Sequence, residues 1–317
     1  MERASAVVSF SFSVVLLVVM ALPAAAGTSE RIVDAFKLWM EDFHVRSASI
    51  VVFENGRLVQ QVGVGADASA PVELASLSKA ITGACVVSQV RAGRLAYSDT
   101  LETRLDWSGA LGRITVAELL TQTSGLAEDF TQPRMGKWLG KSASDWAAIG
   151  KVVLKSGKVG AKRYQYNNVN YALLGLVLEA ATGKSYSVTC ADTLAQFPSA
   201  RLSAKTGGFA PWGGWMMTLA DYGRFVLDVV KPSLAETPAA SIGGGAYYGP
   251  GVLWRQNGSG VNVWHHGLHC FPGRLEAGSF VASWNGPWTV TVAYKGCLSD
   301  LARDSLDQVL AVSARGN

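Results

Sequence analysis

Hydrophobic and polar positions alternate along short runs near both ends of this chain, as they do in strands that have one buried face. Near the N-terminus, two such runs are joined through Asn55-Gly56, a dipeptide typical of a tight hairpin turn. The runs on the two sides of this turn span residues 48–53 and 57–64. Four more lie near the C-terminus, at residues 251–255, 261–266, 279–284 and 288–294. The pattern predicts one antiparallel sheet that combines strands from both ends of the chain.

Apolar residues at helical spacing flank these strands and occupy the middle of the chain. Residues 29–43 and 300–312 each carry an apolar stripe, which predicts a helix at each end that covers the sheet. Residues 216–230 predict a further helix in the middle of the chain. Two stretches, 95–105 and 184–210, are expected to be irregular or rich in loops.

The order of these elements predicts the domain organisation. Strands at both ends and helices between them indicate an α/β part made of about 27–72 and 241–317. A mostly helical part, about 73–240, is inserted into it. The fold class is therefore α/β (α+β), with one antiparallel sheet flanked by terminal helices.

The first residues resemble an export signal. Val7–Leu22 is apolar, and Ala24-Ala25-Ala26 provides the small residues of a cleavage site before Gly27. An uncleaved anchor helix is disfavoured because the apolar stretch is short and ends at Pro23. We predict a signal peptide over 1–26, a secreted or periplasmic protein, and no membrane span after cleavage.

Composition narrows the classes of partner. Hydrophobic residues make up 49% of the chain and charged residues 16%, as in a globular protein, and the formal net charge is only +4. The sequence shows no dense run of Lys and Arg and no nucleic-acid-binding motif. We expect a small-molecule or peptide substrate and no nucleic-acid partner; the oligomeric state is left open.

The sequence contains four cysteines, and export into an oxidising compartment would allow them to form disulfides. Three pairings are possible if all four are bridged. Cys270 and Cys297 lie at the ends of neighbouring predicted strands, so we favour that pair. Cys85 falls in an apolar segment, where an ordinary buried thiol is an alternative. The cysteine spacing does not indicate a zinc site, and we expect no metal.

A serine and a lysine stand three residues apart where a strongly apolar segment begins. Ser76 and Lys79 precede the run Ala80–Val90, which has too few polar residues for a surface helix. On a helix the two side chains share a face. A serine hydroxyl needs a base to become a nucleophile, and a lysine can be that base when burial lowers its pKa. Taken alone, the S-x-x-K pattern is common by chance.

Two further short motifs follow in order. Tyr166-x-Asn168 lies in a polar turn that leads into an apolar helix, and a purely structural role in capping that helix explains it equally well. His265-x-Gly267 lies on a predicted strand. Because side chains alternate along a strand, His265 and His266 must point to opposite faces, so at most one of them can face a cleft.

The three motifs in this order, with their flanking residues, resemble the serine β-lactamase/penicillin-binding protein superfamily. The similarity is strongest to its class C-like branch, which contains class C β-lactamases, D-Ala-D-Ala carboxypeptidases, D-aminopeptidases and carboxylesterases. It implies a β-lactamase/transpeptidase-like fold and no cofactor. It also implies that Ser76 is acylated, that Lys79 accepts its proton, and that Tyr166 passes protons to or from the leaving group; the sequence leaves open which of the last two is the base.

The same resemblance implies the roles of the binding residues. Asn168 would hydrogen-bond Lys79 and the substrate amide, and His265 and Gly267 would lie on the strand that borders the cleft. The backbone N–H groups of Ser76 and Leu268 would form the oxyanion hole, where each donor is typically worth about 3 kcal/mol.

Some positions depart from the family pattern. Class C β-lactamases have a lysine where His265 stands, and a histidine is mostly neutral at pH 7, so recognition of a substrate carboxylate should be weaker. Gln122 stands where relatives often have histidine. We assign no role to His269 beyond that of a surface or core residue.

These observations lead to the hypothesis that the protein is an exported serine hydrolase that forms an acyl-enzyme on Ser76 and cleaves an amide or ester bond. The first substrate expected is a D-Ala-D-Ala or other D-amino-acid peptide. The alternatives are a carboxylesterase, a class C-like β-lactamase, or a non-catalytic protein that binds penicillin or cell-wall peptide.

Overall fold

The computed structural model of this protein describes residues 27–141 and 145–315. The predicted signal peptide, residues 1–26, lies outside this part of the chain. Within the described ranges, no helix combines the length and the apolar character that a membrane crossing requires.

The strands fall into two antiparallel sheets. In chain order they are β1 (Ala48–Glu54), β2 (Arg57–Val64), β3 (Val72–Glu73), β4 (Arg201–Leu202), β5 (Trp215–Met217), β6 (Ala240–Gly243), β7 (Ala246–Tyr248), β8 (Leu253–Asn257), β9 (Gly260–Phe271), β10 (Leu275–Ser283) and β11 (Trp288–Lys295). The large sheet has eight strands in the order β2-β1-β11-β10-β9-β8-β7-β6, and the small one has the order β3-β5-β4. The first hairpin pairs with the last strand of the chain, which confirms the predicted sheet.

The turn between β1 and β2 has the backbone that its sequence predicts. Asn55 and Gly56 both have positive φ angles, 50° and 75°. Two left-handed residues in succession are typical of the turn whose twist matches that of the strands it connects. The turn therefore sets the pairing next to it, up to Phe53 with Leu58, and the register shifts by one residue between Val52 and Phe53.

The helices occupy the middle of the chain and its two ends. They are α1 (Thr28–Asp42), α2 (Ser78–Arg91), α3 (Leu101–Leu105), α4 (Gly109–Gly112), α5 (Val116–Leu120), α6 (Gln132–Trp138), α7 (Ala148–Ser156), α8 (Asn168–Thr182), α9 (Tyr186–Leu194), α10 (Ala210–Gly213), α11 (Leu219–Phe225), α12 (Lys231–Ser233) and α13 (Asp300–Arg315). A 3₁₀ turn, Ala75–Leu77, leads directly into α2.

The terminal helices cover one face of the large sheet. Phe36 and Trp39 of α1 and Leu306 of α13 are buried in one cluster with inward-facing residues of the sheet. The Trp39 indole N–H donates to the carbonyl of Ala302 at 2.8 Å, which joins the two helices. The opposite face of the sheet packs against the helical region, whose central helix α2 is buried along almost its whole length.

Three local predictions were wrong. Residues 95–105 contain α3, which begins with a Thr100/Thr103 capping box, and residues 184–210 contain α9. The helix predicted over 216–230 begins only at Leu219, because Met216 and Met217 pair with β3 as part of β5. A short apolar run does not by itself distinguish a buried strand from a buried helix.

Two disulfides link elements that are distant in sequence. Cys270, on β9, is joined to Cys297, which follows β11. Cys85 is joined to Cys190, so the alternative of an ordinary core thiol at Cys85 was wrong. This second bridge connects α2 to α9, and both of its cysteines are fully buried.

Candidate active site

The candidate nucleophile stands on the tight turn before α2. Ala75 has a φ of 46°, a left-handed conformation that is unfavourable for a residue with a Cβ, and it is fully buried. The Leu74 N–H donates to the Trp215 carbonyl at 3.0 Å, which ties this turn to β5. Ser76 is only partly buried, whereas its neighbours on both sides are buried, so the turn presents this hydroxyl to the cleft.

Lys79 lies one helical turn further on and is completely buried. Its Nζ donates to Ser76 Oγ at 3.0 Å and to the carbonyl oxygen of Trp212 at 3.1 Å. Burial lowers the pKa of Lys79 to about 7, while the charge of Asp129 acts in the opposite direction. Near neutral pH a substantial fraction of this amine is therefore uncharged and able to accept a proton.

Tyr166 comes from the segment that precedes α8. This helix begins after Asn167, whose side-chain Oδ1 accepts the N–H of Val169 at 2.9 Å. The Tyr166 ring lies over Lys79, with Nζ 4.8 Å from the ring centroid. The residue is 41% exposed, but its hydroxyl interacts with that of Ser76. Desolvation raises the pKa of the phenol above its usual range, and the interaction with Ser76 lowers it, so the phenol is protonated at neutral pH.

The two histidines of β9 separate as the strand alternation predicts. His265 is buried and its ring centroid lies 6.0 Å from that of Tyr166. His266 packs on the other face of the sheet, against Phe280, at 4.4 Å between ring centroids. The His265 Nδ1–H donates to the His266 carbonyl at 2.7 Å. Burial, and then the charge of Lys79, lower the pKa of His265 to about 3, so this ring is neutral.

Gly267 allows β9 to approach the turn that carries Ser76. A Cβ at this position would lie 2.5 Å from the carbonyl oxygen of Leu74 and 2.3 Å from Ser279 Oγ. Ser279 Oγ itself donates to that Leu74 carbonyl at 2.7 Å, so neither atom can move away without breaking this hydrogen bond. Any larger residue would force the strand and the turn apart. Leu268, whose N–H is expected in the oxyanion hole, follows directly on β9.

Asn168 is the first residue of α8, and its expected bonds to Lys79 and to a substrate amide stay a prediction. Among the described contacts, the amine of Lys79 donates to Ser76 and Trp212, and a bond to Asn168 is not one of them. The backbone N–H of Asn168 donates instead to Asp129 Oδ2 at 3.2 Å. Its side chain is buried at the first turn of α8.

Gln122 makes the contacts that hold this segment in place. Its Oε1 accepts the backbone N–H of Asn167 at 2.9 Å and the side-chain amide of Asn170 at 2.6 Å. Its backbone has a φ of 62°. Gln122 therefore acts on the position of Tyr166 through the chain that leads into α8.

The sequence did not indicate Asp129 as a functional residue, and it indicated His269 only as a surface or core residue. The His269 Nε2–H donates to the Gly213 carbonyl at 2.8 Å, next to the carbonyl that Lys79 binds. Burial lowers its pKa to about 4, which keeps it neutral. A single Asp in a loop or a single His on a strand carries no signal in sequence, because its neighbours come from distant segments.

These groups form one arrangement around a hydroxyl oxygen. A buried amine contacts Ser76 Oγ, a phenol interacts with the same oxygen, and a strand with a close-packed glycine runs beside the turn. A nucleophile with an adjacent base and a proton donor is suited to acyl transfer. Within residues 27–141 and 145–315, no three His, Cys, Asp or Glu side chains are grouped so that they could hold a metal ion.

Comparison with known families shows that one family matches most of the length of this chain. The sequence model of the family described as Beta-lactamase matches residues 32–293. Protein flp of Staphylococcus aureus (strain NCTC 8325 / PS 47) is 29% identical in an alignment 161 residues long, which covers 45% of this chain and 32% of that protein. The chain therefore spans about a third of the length of the curated relatives it matches.

Two solved structures share the fold over most of both chains. D-amino acid amidase from Ochrobactrum anthropi SV3, complexed with D-phenylalanine, has a TM-score of 0.71 at 14% identity, covering 90% of this chain and 98% of its own. D-alanine carboxypeptidase AmpC from Burkholderia cenocepacia has a TM-score of 0.69 at 13% identity, with the same two coverages, 90% and 98%. At these identities the likeness is one of fold.

Proposed function

This chain belongs to the Beta-lactamase family of serine hydrolases, and we propose that it cleaves an amide or ester bond through an acyl-enzyme on Ser76. The observation that carries the proposal is the contact between Ser76 Oγ and a completely buried lysine amine, 3.0 Å apart. Burial disfavours the charged form of a lysine and so lowers its pKa, which makes the amine able to accept a proton near neutral pH.

In the proposed mechanism, Lys79 takes the hydroxyl proton as Ser76 Oγ attacks the substrate carbonyl. The negative charge that develops on the carbonyl oxygen is stabilised by the N–H groups of Ser76 and Leu268. Tyr166 donates its proton to the leaving amine or alkoxide and is reprotonated from Lys79. A water molecule then attacks the ester on Ser76, which releases the acid and restores the hydroxyl.

The substrate that we propose is a peptide or amide of a D-amino acid, with D-Ala-D-Ala as the first example. A neutral His265 in place of a fixed cation weakens the binding of a substrate carboxylate, whether of a β-lactam or of D-Ala-D-Ala, so a D-amino-acid amide, which has none, should be favoured within this class. The fold relatives named as a D-amino acid amidase and a D-alanine carboxypeptidase support this class.

A substrate panel tests the proposal. The purified chain without residues 1–26 is given the dipeptide D-Ala-D-Ala, a D-amino-acid amide, a p-nitrophenyl ester and nitrocefin. We expect turnover of the first two at the highest kcat/KM. Preference for the ester would favour a carboxylesterase, preference for nitrocefin a β-lactamase, and covalent labelling by penicillin without product release a binding protein.

The pH dependence identifies the base. If neutral Lys79 accepts the proton, activity is lost as pH falls through its pKa of about 7, so kcat/KM should rise along an acid limb centred there. The pKa values of His265 and His269 are lowered to about 3 and about 4, below this limb. A profile that is flat through pH 7 and rises only in strongly alkaline solution would instead point to Tyr166, whose pKa is raised.

We also propose that the protein is exported to the periplasm or secreted. Two disulfides, one of them buried between helices, are typical of proteins that mature in an oxidising compartment. The mass of the protein recovered from the extracellular or periplasmic fraction should correspond to a chain that begins near Gly27; an intact N-terminus there contradicts cleavage.

A further inference from the structure

Asp129 is an acidic residue beside the candidate catalytic groups that the mechanism above does not use. Its Oδ2 accepts the backbone N–H of Asn168 at 3.2 Å, two residues after Tyr166. Its Oδ1 accepts both the N–H and the hydroxyl of Thr131, at 2.9 Å and 2.5 Å. A carboxylate has about four acceptor positions, so these three bonds leave one open on Oδ2. The residue as a whole is only partly buried.

The loop that carries Asp129 is held against the segment that contains Tyr166. The side-chain amide of Asn167 donates to the carbonyls of Leu126 and Glu128, at 2.7 Å and 3.1 Å. The side-chain amide of Gln165 donates to the Ala127 carbonyl at 3.0 Å. Because the residues before and after Tyr166 are both bonded to this loop, the Asp129 carboxylate keeps a fixed position relative to the Tyr166 phenol.

We propose that Asp129 binds a protonated amino group of the substrate close to the scissile carbonyl, which makes the substrate a D-amino-acid amide or peptide with a free amine. This inference rests on the proposed acyl transfer at Ser76. It identifies the amine-bearing members of the proposed substrate class as the preferred ones, and N-acylated members as poor substrates.

The electrostatics of the cleft agree with this assignment. The charge of Asp129 acts on both Lys79 and Tyr166 and raises the pKa of each, so the carboxylate lies near enough to influence these groups. On the strand that borders the cleft, His265 is neutral. A substrate cation therefore meets a negative charge here.

Asp129 also influences Lys79, and this second effect must be separated from binding. A change in the pKa of Lys79 alters the turnover of every substrate by the same factor. The contact with an amine alters only substrates that carry one. The ratio of kcat/KM for two substrates that differ in the amine alone therefore isolates the binding role.

The test compares D-alanine 4-nitroanilide with its N-acetyl derivative. We expect the wild-type protein to favour the free amine by about 10-fold or more, the value of one charge-assisted hydrogen bond. Asp129→Asn should bring the ratio close to one, whatever the changed pKa of Lys79 does to the turnover of both substrates together. Glu128→Gln, which removes the adjacent exposed charge, is the matched control and should leave the ratio unchanged.

Several results would overturn the inference. If the wild-type protein has the same kcat/KM for the N-acetyl compound and for the free amine, the inference is refuted without any variant. It is also refuted if the ratio of the two kcat/KM values is the same in Asp129→Asn as in the wild type. If neither anilide is cleaved, protection of Ser76 from a fluorophosphonate probe by D-alaninamide and by N-acetyl-D-alaninamide gives the same comparison. Failure of the probe to label Ser76 would instead refute the proposed function itself.

Discussion

Replacing Ser76 with alanine is expected to abolish turnover, with a loss in kcat/KM of roughly 10⁴- to 10⁶-fold. The acyl-enzyme cannot form without the hydroxyl, and Lys79 and Tyr166 would then have no nucleophile to activate. The loss should be in kcat more than in KM, because the walls of the cleft remain. Steady-state kinetics measure the loss of turnover. Peptide mapping after fluorophosphonate labelling should show that the label no longer appears on the peptide that contains position 76.

Ser78→Ala is the matched control for this experiment. Ser78 belongs to the same short motif but is fully buried, and its hydroxyl accepts the N–H of Trp215 at 3.1 Å. Its loss leaves a buried donor without a partner, so we expect the free energy of unfolding to fall by about 1–3 kcal/mol while labelling of Ser76 persists. Labelling that survives in Ser76→Ala, or that is lost in Ser78→Ala without unfolding, would contradict the assignment of the nucleophile.

Lys79→Met should lower kcat by roughly 10³-fold, within the range typical of a lost general base. Methionine has a similar length and no charge to desolvate, so the variant should fold, although the Trp212 carbonyl loses a donor. Probe labelling of Ser76 should slow by a similar factor. The acid limb near pH 7 should also vanish from the pH profile, since the group responsible for it is absent.

Two further variants separate charge from proton transfer. Lys79→Arg keeps a cation that does not give up its proton in this pH range, so it should be as inactive as Lys79→Met if the lysine is the base. Lys231 is a second lysine whose pKa is lowered by burial, and its Nζ donates to Ser283 Oγ at 3.1 Å in another part of the fold. Lys231→Met should leave kcat unchanged. Recovery of activity in the arginine variant would show that position 79 contributes only charge.

The sequence alone determined those features that depend on nearby residues. The Asn55-Gly56 turn selects its hairpin because only certain residues accept a positive φ at low cost. The Thr115/Glu118 capping box begins α5, and Gly183 ends α8, through bonds made within a few residues. The separation of His265 from His266 follows from the alternation of any strand. Family membership was predictable for a related reason, since three short motifs in one order are far more specific than each is alone.

Tertiary structure decided whatever depends on residues that are far apart in the chain. The Met216-Met217 run became a strand because Val72 and Glu73 pair with it, and Cys85 was found to pair with Cys190 only when α2 and α9 were placed side by side. Asp129 acquires its importance in the same way, from an N–H that lies 39 residues further along the chain. Local propensity is set by a few neighbouring residues, whereas the surroundings of a charge or a thiol are set by all the segments that fold against it, and a single sequence does not state those contacts.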